Sequence, residues 1–144
     1  TKLVMWKQKF TLEGLNSMST DTLVTHLGIE FTEFGEDFLK ARMPVDTRTV
    51  QPMRIVHGGA NVALAETLGS VASTLLIDDL TKQVPVGLEI NANHLLSVKE
   101  GEYVDGVCRP IHIGRTTHIW EIKIYNPDGR LTCISRLTMF VKTF

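Results

Sequence analysis

The feature that most constrains this chain of 144 residues is one long apolar stretch, which runs from Ile55 to Ile77. It is rich in Ala, Val and Leu and has about the length of a helix that spans a membrane. However, His57, Asn61 and Glu66 interrupt it, and no aromatic or basic belt flanks it. A helix that is apolar on most faces, in a chain without a membrane span, is typical of a protein core. We therefore expect a buried helix and no membrane partner.

The segments around this stretch predict a mixture of helices and antiparallel strands. Short helices are predicted at 11–16 and 21–28, the long helix at 59–77, and strands at 29–34, 38–45, 86–95, 103–112, 117–126 and 131–141. Turn residues at 35–37 and 127–129 favour hairpins, and strands joined by hairpins form antiparallel sheets. No repeat or linker divides the chain. The predicted fold is one α+β domain over residues 1–144, with a curved antiparallel sheet wrapped around one long central helix.

Charge and motif content exclude several function classes. The 15 Lys and Arg balance 16 Asp and Glu without a basic cluster, so nucleic acid is not an expected partner. The histidines lack the spacing of metal ligands, and glycine-rich nucleotide motifs and the GxSxG elbow are missing from the sequence. Cys108 and Cys133 have no CxxC spacing and no secretory leader before them. We expect no metal, and a cytoplasmic protein with free thiols.

Glu66 is the residue of the long helix that most needs an explanation. It is the only formal charge between Arg54 and Asp78. An ionised carboxylate in a core is costly unless it is paired or hydrogen-bonded. Helical spacing places Ser70 and Ser73 on the same stripe as Glu66. Two interpretations remain open: a Glu on a face that the sheet leaves uncovered, or a catalytic carboxylate.

The sequence His57-Gly58-Gly59 stands at the predicted start of this helix. Unpaired backbone N–H groups and the positive end of the helix dipole can polarise a carbonyl there, and glycine lets a ligand approach closely. A glycine pair is also a common turn into a helix, and a histidine before it is often only a cap. The motif therefore gains its weight from the combination with Glu66.

The spacing of Gly58 and Glu66 predicts a site shared between two copies of the chain. Eight positions along a helix correspond to ~12 Å, which is too far for both groups to act on one carbonyl. If two copies pack their long helices antiparallel about a twofold axis, the start of one helix lies beside the middle of the other. The sequence thus predicts an obligate dimer with shared sites.

Two further positions are less specific. Gln51 lies in the loop before the glycine pair and could donate a hydrogen bond to a substrate, although a loop Gln is usually only solvated. The polar turn at 113–117 is either an ordinary hairpin or a phosphate contact made by Arg115 and neighbouring hydroxyl groups.

Three motifs together resemble those of a known family: Gln51, the sequence His57-Gly58-Gly59 with Glu66 eight residues after Gly58, and the segment GLEINANH at 87–94. They are similar to those of the hotdog-fold acyl-CoA thioesterases, and the similarity extends over nearly the whole chain. The spacing of these residues is specific to the branch of the phenylacetate-pathway and hydroxybenzoyl-CoA thioesterases. Within it, the chain most resembles the dihydroxynaphthoyl-CoA thioesterases of menaquinone synthesis and the proofreading thioesterases of enterobactin synthesis.

The resemblance implies catalytic roles for five residues. The carboxylate matching Glu66 attacks the thioester as nucleophile or activates water as general base. The amide matching Gly58 polarises the thioester carbonyl, and the residues matching Gln51 and His57 position it. The hydroxyl matching Ser70 assists the water or the carboxylate.

The resemblance also implies the substrate and the assembly. The substrate is an acyl-CoA with an aromatic acyl group, or an acyl group on a carrier protein, and the enzyme is a tetramer of two hotdog dimers. Coenzyme A lies along a surface groove, where Arg115, Thr116, Arg136 and His94 are candidates for binding it. Coenzyme A is part of the substrate, so no separate cofactor is expected.

The pair Met53-Arg54 departs from the relatives, which tend to carry an aromatic residue followed by Gly. An Arg beside the acyl site could narrow or charge the pocket and so change the acyl preference from that of the nearest relatives. Two alternatives to hydrolysis stay open. One is a hydratase or dehydratase that uses a His and an acid, which the position of Glu66 in mid-helix disfavours. The other is a non-catalytic acyl-binding dimer in which Glu66 is a paired core acid.

Overall fold

A computed structural model describes residues 4–144 of the chain. Its elements, in chain order, are α1 (Leu12–Met18), α2 (Leu23–His26), β1 (Glu30–Phe34), β2 (Leu39–Pro44), α3 (Gly58–Leu75), β3 (Gln83–His94), β4 (Tyr103–Ile113), β5 (Thr117–Tyr125) and β6 (Leu131–Thr143). Every predicted helix and strand is present, with ends that differ by a few residues. The predicted α+β fold is confirmed, because α3 packs against β2, β3, β4, β5 and β6 of one antiparallel sheet.

The strands follow the order β1-β2-β4-β5-β6-β3 in the sheet. Hairpins join β1 to β2 and β5 to β6, as the turn residues predict, and the turn at 113–117 joins β4 to β5 in a third hairpin. The strand β3 differs, because it pairs with β6 at the far edge while β4 pairs with β2. The segment 95–102 therefore crosses between the two halves of the sheet, and β3 is left as an edge strand beside α3.

One face of α3 fills the core of the protein. Its buried residues are Ala60, Asn61, Leu64, Ala65, Leu68, Gly69, Ala72, Ser73 and Leu75. Leu64 and Leu68 are fully buried, and truncation of such a leucine to alanine typically costs about 2–5 kcal/mol. Gly106 of β4 lets the sheet approach closely, because a Cβ atom there would lie 2.7 Å from Leu68 Cδ1.

The opposite face of α3 is not covered by the sheet. It consists of the exposed or half-exposed residues Gly59, Val62, Ala63, Glu66, Thr67, Ser70, Val71 and Thr74, which we call the open face. Most of these side chains are small, so another helix can approach this face closely. Within the described residues, no helix has the length and apolar character that crossing a membrane requires.

Ser73 is not on the open face, although helical spacing places it on the stripe of Glu66. It is fully buried, and its hydroxyl accepts a hydrogen bond from Trp120 Nε1 at 2.7 Å. The same oxygen lies 2.9 Å from His118 Nδ1, with which it forms a second hydrogen bond. Because β5 covers the second half of α3, Ser73 points into the core, while Ser70 one turn earlier stays half-buried.

Both cysteine thiols are free and buried, as expected from the sequence. Burial raises the pKa of Cys133 to about 11 and raises the pKa of Cys108 still further. Since the thiolate is the reactive form of cysteine, neither side chain is suited to nucleophilic chemistry.

The buried imidazole of His118 predicts that the protein loses stability on mild acidification. Burial lowers the pKa of His118, and the charges of His112 and Lys7 lower it further. The unfolded chain, with an ordinary histidine pKa of about 6.5, therefore binds the proton more readily than the folded chain. The free energy of unfolding should fall as the pH drops through about 6.5 and keep falling until the folded pKa is passed.

Urea unfolding at several pH values between 8 and 5, each about one unit apart, measures this dependence. The control is His118→Asn, whose side-chain amide can still form a hydrogen bond with Ser73 but does not titrate. The pH slope should be smaller in the variant; an equal slope in both proteins would show that other groups cause it.

Candidate active site

The start of α3 presents a free backbone donor. His57 caps the helix: its backbone is extended, and its Nδ1 accepts a hydrogen bond from the N–H of Gly59 at 2.8 Å. Because Nδ1 is an acceptor, the ring proton of neutral His57 lies on Nε2. Gly58 is the first residue of the helix, and its N–H has no hydrogen-bond partner among residues 4–144. This donor lies at the positive end of an 18-residue helix, where a carbonyl oxygen can accept from it.

A cavity of about 390 Å³ opens beside this donor. It is lined by Ile55, Val56, Gly58, Asn61 and the segment 94–97, and we call it the His94 cavity. The imidazole of His94 lies against Gly58, since a Cβ atom on Gly58 would be 3.0 Å from His94 Nε2. Glycine at this position therefore allows the ring to approach the helix start. Its lining combines apolar side chains with polar groups, which include the side chains of Asn61 and His94.

Glu66 lies on the open face of α3 and is exposed in the single chain. Its carboxylate makes no hydrogen bond or ion pair with the described residues. It lies beside β3, because a Cβ atom on Gly87 would be 3.0 Å from Glu66 Oε1. The pairing of β3 with β6 is irregular between Gly87 and Glu89 at this point. Ser70, one turn after Glu66, has its hydroxyl 3.8 Å from the sulfur of Met139.

Gln51 lies in a tight turn that leads towards the helix. Its backbone N–H donates to Ile55 O at 2.9 Å and its carbonyl accepts from Arg54 N at 2.8 Å. Its side-chain oxygen accepts from the N–H of Met53. The side-chain oxygen is therefore used within the turn, while the side-chain NH₂ group has no partner in the described part of the chain. The NH₂ group is therefore free to donate a hydrogen bond, and the role of Gln51 towards a substrate stays a prediction.

Arg54 adopts a backbone φ of 62°, the left-handed region that glycine tolerates best. Its guanidinium forms a bidentate ion pair with Glu100, at 2.6 Å from Nε and 2.7 Å from Nη2. This pair lowers the pKa of Glu100. The positive charge of Arg54 is thus held by Glu100 at the surface, which links the turn of Gln51 to the segment after β3.

The residues predicted to bind coenzyme A lie in three places. His94 borders the cavity at the start of α3. Arg115 lines a cavity of about 340 Å³ at the other end of α3, and Thr116 is in the same turn. Arg136 is exposed on β6 and lines a small pocket of about 210 Å³ with Glu121. Within one chain these side chains do not form one groove, and their roles stay predictions.

A further cavity, of about 740 Å³, lies between α1, α2 and the second half of α3. We call it the α1 cavity; its lining is mainly apolar and includes Phe10, Leu15, Met18, Val71, Thr74 and Leu75. The described residues contain no group of three or more His, Cys, Asp or Glu side chains that could hold a metal ion.

Comparison with known proteins identifies the family. The family model described as the thioesterase superfamily matches residues 53–133, a segment that includes the helix start, Glu66 and most of the sheet. The chain belongs to the thioesterase superfamily. It is therefore a hotdog-fold enzyme that hydrolyses thioesters of acyl groups with CoA or with a carrier, and the predicted family resemblance is confirmed.

Three relatives illustrate the similarity. The proofreading thioesterase EntH of Cronobacter turicensis is 54% identical over 138 residues, which are 96% of this chain and 98% of EntH. The 1,4-dihydroxy-2-naphthoyl-CoA hydrolase of Escherichia coli is 51% identical over 135 residues, which are 94% of this chain and 97% of that enzyme. A thioesterase crystal structure from Haemophilus influenzae has a TM-score of 0.92 and 47% identity, and the match covers 96% of this chain and 95% of that one.

Sequence reasoning missed one residue that borders the candidate site. Asn61 draws attention in the sequence only as an interruption of an apolar stretch. In the structure it lines the His94 cavity three residues after Gly58. A polar residue on the buried face of a helix, one turn from a free helix start, was the signal available.

Proposed function

We propose that this thioesterase hydrolyses aromatic acyl thioesters in a homodimer whose two sites each combine Glu66 of one protomer with the Gly58 amide of the other. One observation carries the proposal. A free N–H at Gly58 and an exposed carboxylate at Glu66 belong to one continuous helix, α3. Eight residues separate them by ~12 Å, so they can act on the same carbonyl only if they come from different chains.

The open face of α3 and the edge strand β3 support this dimer. Two α3 helices packed antiparallel through their small residues, with Val62 at the centre, bring Gly58 of each protomer opposite Glu66 of its partner. The strand β3 has an unpaired edge with exposed apolar side chains such as Leu88, and such an edge favours pairing with a second copy. The tetramer of two such dimers stays a prediction.

The chemistry needs only these groups and water. The thioester carbonyl oxygen accepts from the Gly58 N–H, which stabilises the negative charge that develops there. Either Glu66 adds to the carbonyl carbon and water later cleaves the resulting anhydride, or Glu66 takes a proton from a water that adds directly. In both routes the C–S bond breaks, the thiolate leaves and takes up a proton, and water supplies the oxygen of the acid. In this proposal the side-chain NH₂ group of Gln51 and the Nε2–H of His57 orient the substrate.

The relatives support an aromatic acyl group, because the 51% identical enzyme of Escherichia coli is named for a naphthoyl-CoA substrate. They support two kinds of carrier, because EntH is named a proofreading thioesterase. The same pantetheine arm is present in CoA and in carrier proteins, so one site can accept both.

Thiol release from a panel of thioesters tests the proposal. The panel contains benzoyl-CoA, 2,3-dihydroxybenzoyl-CoA, 1,4-dihydroxy-2-naphthoyl-CoA, octanoyl-CoA and benzoyl groups on a purified aryl carrier protein. We expect higher kcat/KM values for the aromatic thioesters than for the fatty acyl one. A higher value for octanoyl-CoA would contradict the aromatic preference. A parallel assay follows the loss of the enoyl absorbance of crotonyl-CoA, and hydration there without thiol release from any thioester would instead support the hydratase alternative.

A further inference from the structure

Asn61 is a buried amide without a partner. Its side-chain oxygen is the only buried side-chain N or O atom that lacks a hydrogen bond in the described part of the chain. The residue is 2% exposed, and its NH₂ group makes no hydrogen bond with the described residues either. Buried polar groups in native proteins are almost always hydrogen-bonded, so an exception of this kind indicates an absent partner such as a ligand.

The position of Asn61 links this amide to the thioester site. It lies three residues after Gly58 on α3, about 4.5 Å along the helix axis. Both residues line the His94 cavity, together with the buried Val56. The cavity therefore lies on the side of the helix start that faces the sheet, away from the open face. When a thioester carbonyl accepts a hydrogen bond from the Gly58 N–H, one of the two groups attached to its carbon can enter this cavity.

A thioester carbonyl carries two groups, and two of the cavities described above, the His94 cavity and the α1 cavity, are lined by residues of α3. In the proposed dimer, Glu66 of the partner subunit lies opposite Gly58 of the first protomer. From there the partner's α3 continues to its own Thr74, which lines the α1 cavity of that subunit. That larger cavity is mainly apolar and suits an aromatic acyl group. The His94 cavity, which holds the free amide of Asn61, is then left for the thiol side of the substrate.

We propose that the His94 cavity holds the pantetheine arm and that Asn61 hydrogen-bonds the amide of that arm nearest the sulfur. Two methylene groups separate this amide from the sulfur. The length of that spacer is similar to the distance along one helical turn, which separates Gly58 from Asn61. A secondary amide offers one N–H and one C=O, and the carboxamide of Asn61 offers both a donor and an acceptor. The inference rests on the proposed function, because it takes the thioester carbonyl to bind at Gly58.

Truncated substrates test the role of Asn61. Benzoyl-N-acetylcysteamine keeps the first pantetheine amide, whereas S-butyl thiobenzoate has no amide. For the native protein we expect kcat/KM to be about tenfold higher for the amide-bearing thioester, mainly through KM. In both Asn61→Leu and Asn61→Ala this ratio should fall to about one. A ratio that persists in both variants, or that falls only with the larger leucine, would overturn the proposal.

Two controls separate this inference from folding and from the proposed function. The unfolding midpoint of Asn61→Leu should equal or exceed that of the native protein, because an unpaired amide is replaced by an apolar group of similar size. Calorimetric titration with pantetheine measures binding without turnover, and Asn61→Leu should raise its Kd about tenfold. If no thioester is hydrolysed but this Kd shift is found, the proposed function fails and the role of Asn61 stands. If hydrolysis occurs but pantetheine binds both proteins equally, the role of Asn61 is wrong.

Discussion

Replacement of Glu66 by Gln is expected to reduce kcat for thioester hydrolysis by roughly 10²–10⁴-fold, the range typical of a lost general base or a comparable acid–base group. Gln has nearly the same shape as Glu but cannot act as a base or form an anhydride. The variant should also remain folded, because Glu66 is exposed and makes no hydrogen bond or ion pair with the described residues. Surface substitutions of this kind usually change the free energy of unfolding by less than about 0.5 kcal/mol.

The measurement is thiol release from saturating benzoyl-CoA, together with urea unfolding and sedimentation of both proteins. A matched control is Glu30→Gln, which makes the same change at an exposed position of β1, at the opposite edge of the sheet from β3. Full activity in a folded Glu66→Gln variant would exclude Glu66 from the chemistry. A loss of activity that came with a loss of stability or of the dimer would favour the alternative in which Glu66 is a structural acid.

The fold could be predicted from the sequence because its main signals are local. The long apolar stretch, the turn residues at 127–129 and the alternating strands each depend on neighbouring residues. The position of β3 at the edge beside β6 was not predictable in this way, because it depends on the pairing of β2 with β4, residues about 60 positions apart. Long-range pairing of this kind leaves no local pattern.

The sequence could predict the relative positions of candidate site residues only where those residues lie on the same helix. The spacing of Gly58 and Glu66 places both on α3, and the structure bears out that arrangement. Helical spacing alone could not tell that Ser73 is buried while Glu66 is exposed, because the difference depends on how far β5 covers the helix. The contact of His94 with Gly58 and the unpaired amide of Asn61 arise from side chains brought together by the fold.

The substitution Gly58→Pro removes the free backbone N–H of Gly58 with little change elsewhere in the structure. Proline is well tolerated at the first position of a helix, and the preceding His57 has φ −71° and ψ 130°, which suits a residue before proline. Loss of one donor to a developing oxyanion typically lowers kcat by roughly 10²–10³-fold. Gly58→Ala is the matched control, because its Cβ atom meets the ring of His94 in the same way but its N–H is kept.

The two inactive variants should restore activity when they are combined. If each site takes Glu66 from one protomer and Gly58 from its partner, a mixed dimer of Glu66→Gln and Gly58→Pro has one site with both defects and one intact site. Equal co-expression gives mixed dimers as about half of the population, so the expected activity is about a quarter of the native value per chain. Thiol release by the co-expressed sample is compared with that of the two variants mixed after separate purification and assayed before subunits exchange. If both groups acted within one chain, neither protomer of the mixed dimer would hold a complete site, and co-expression would give no more activity than the two variants alone.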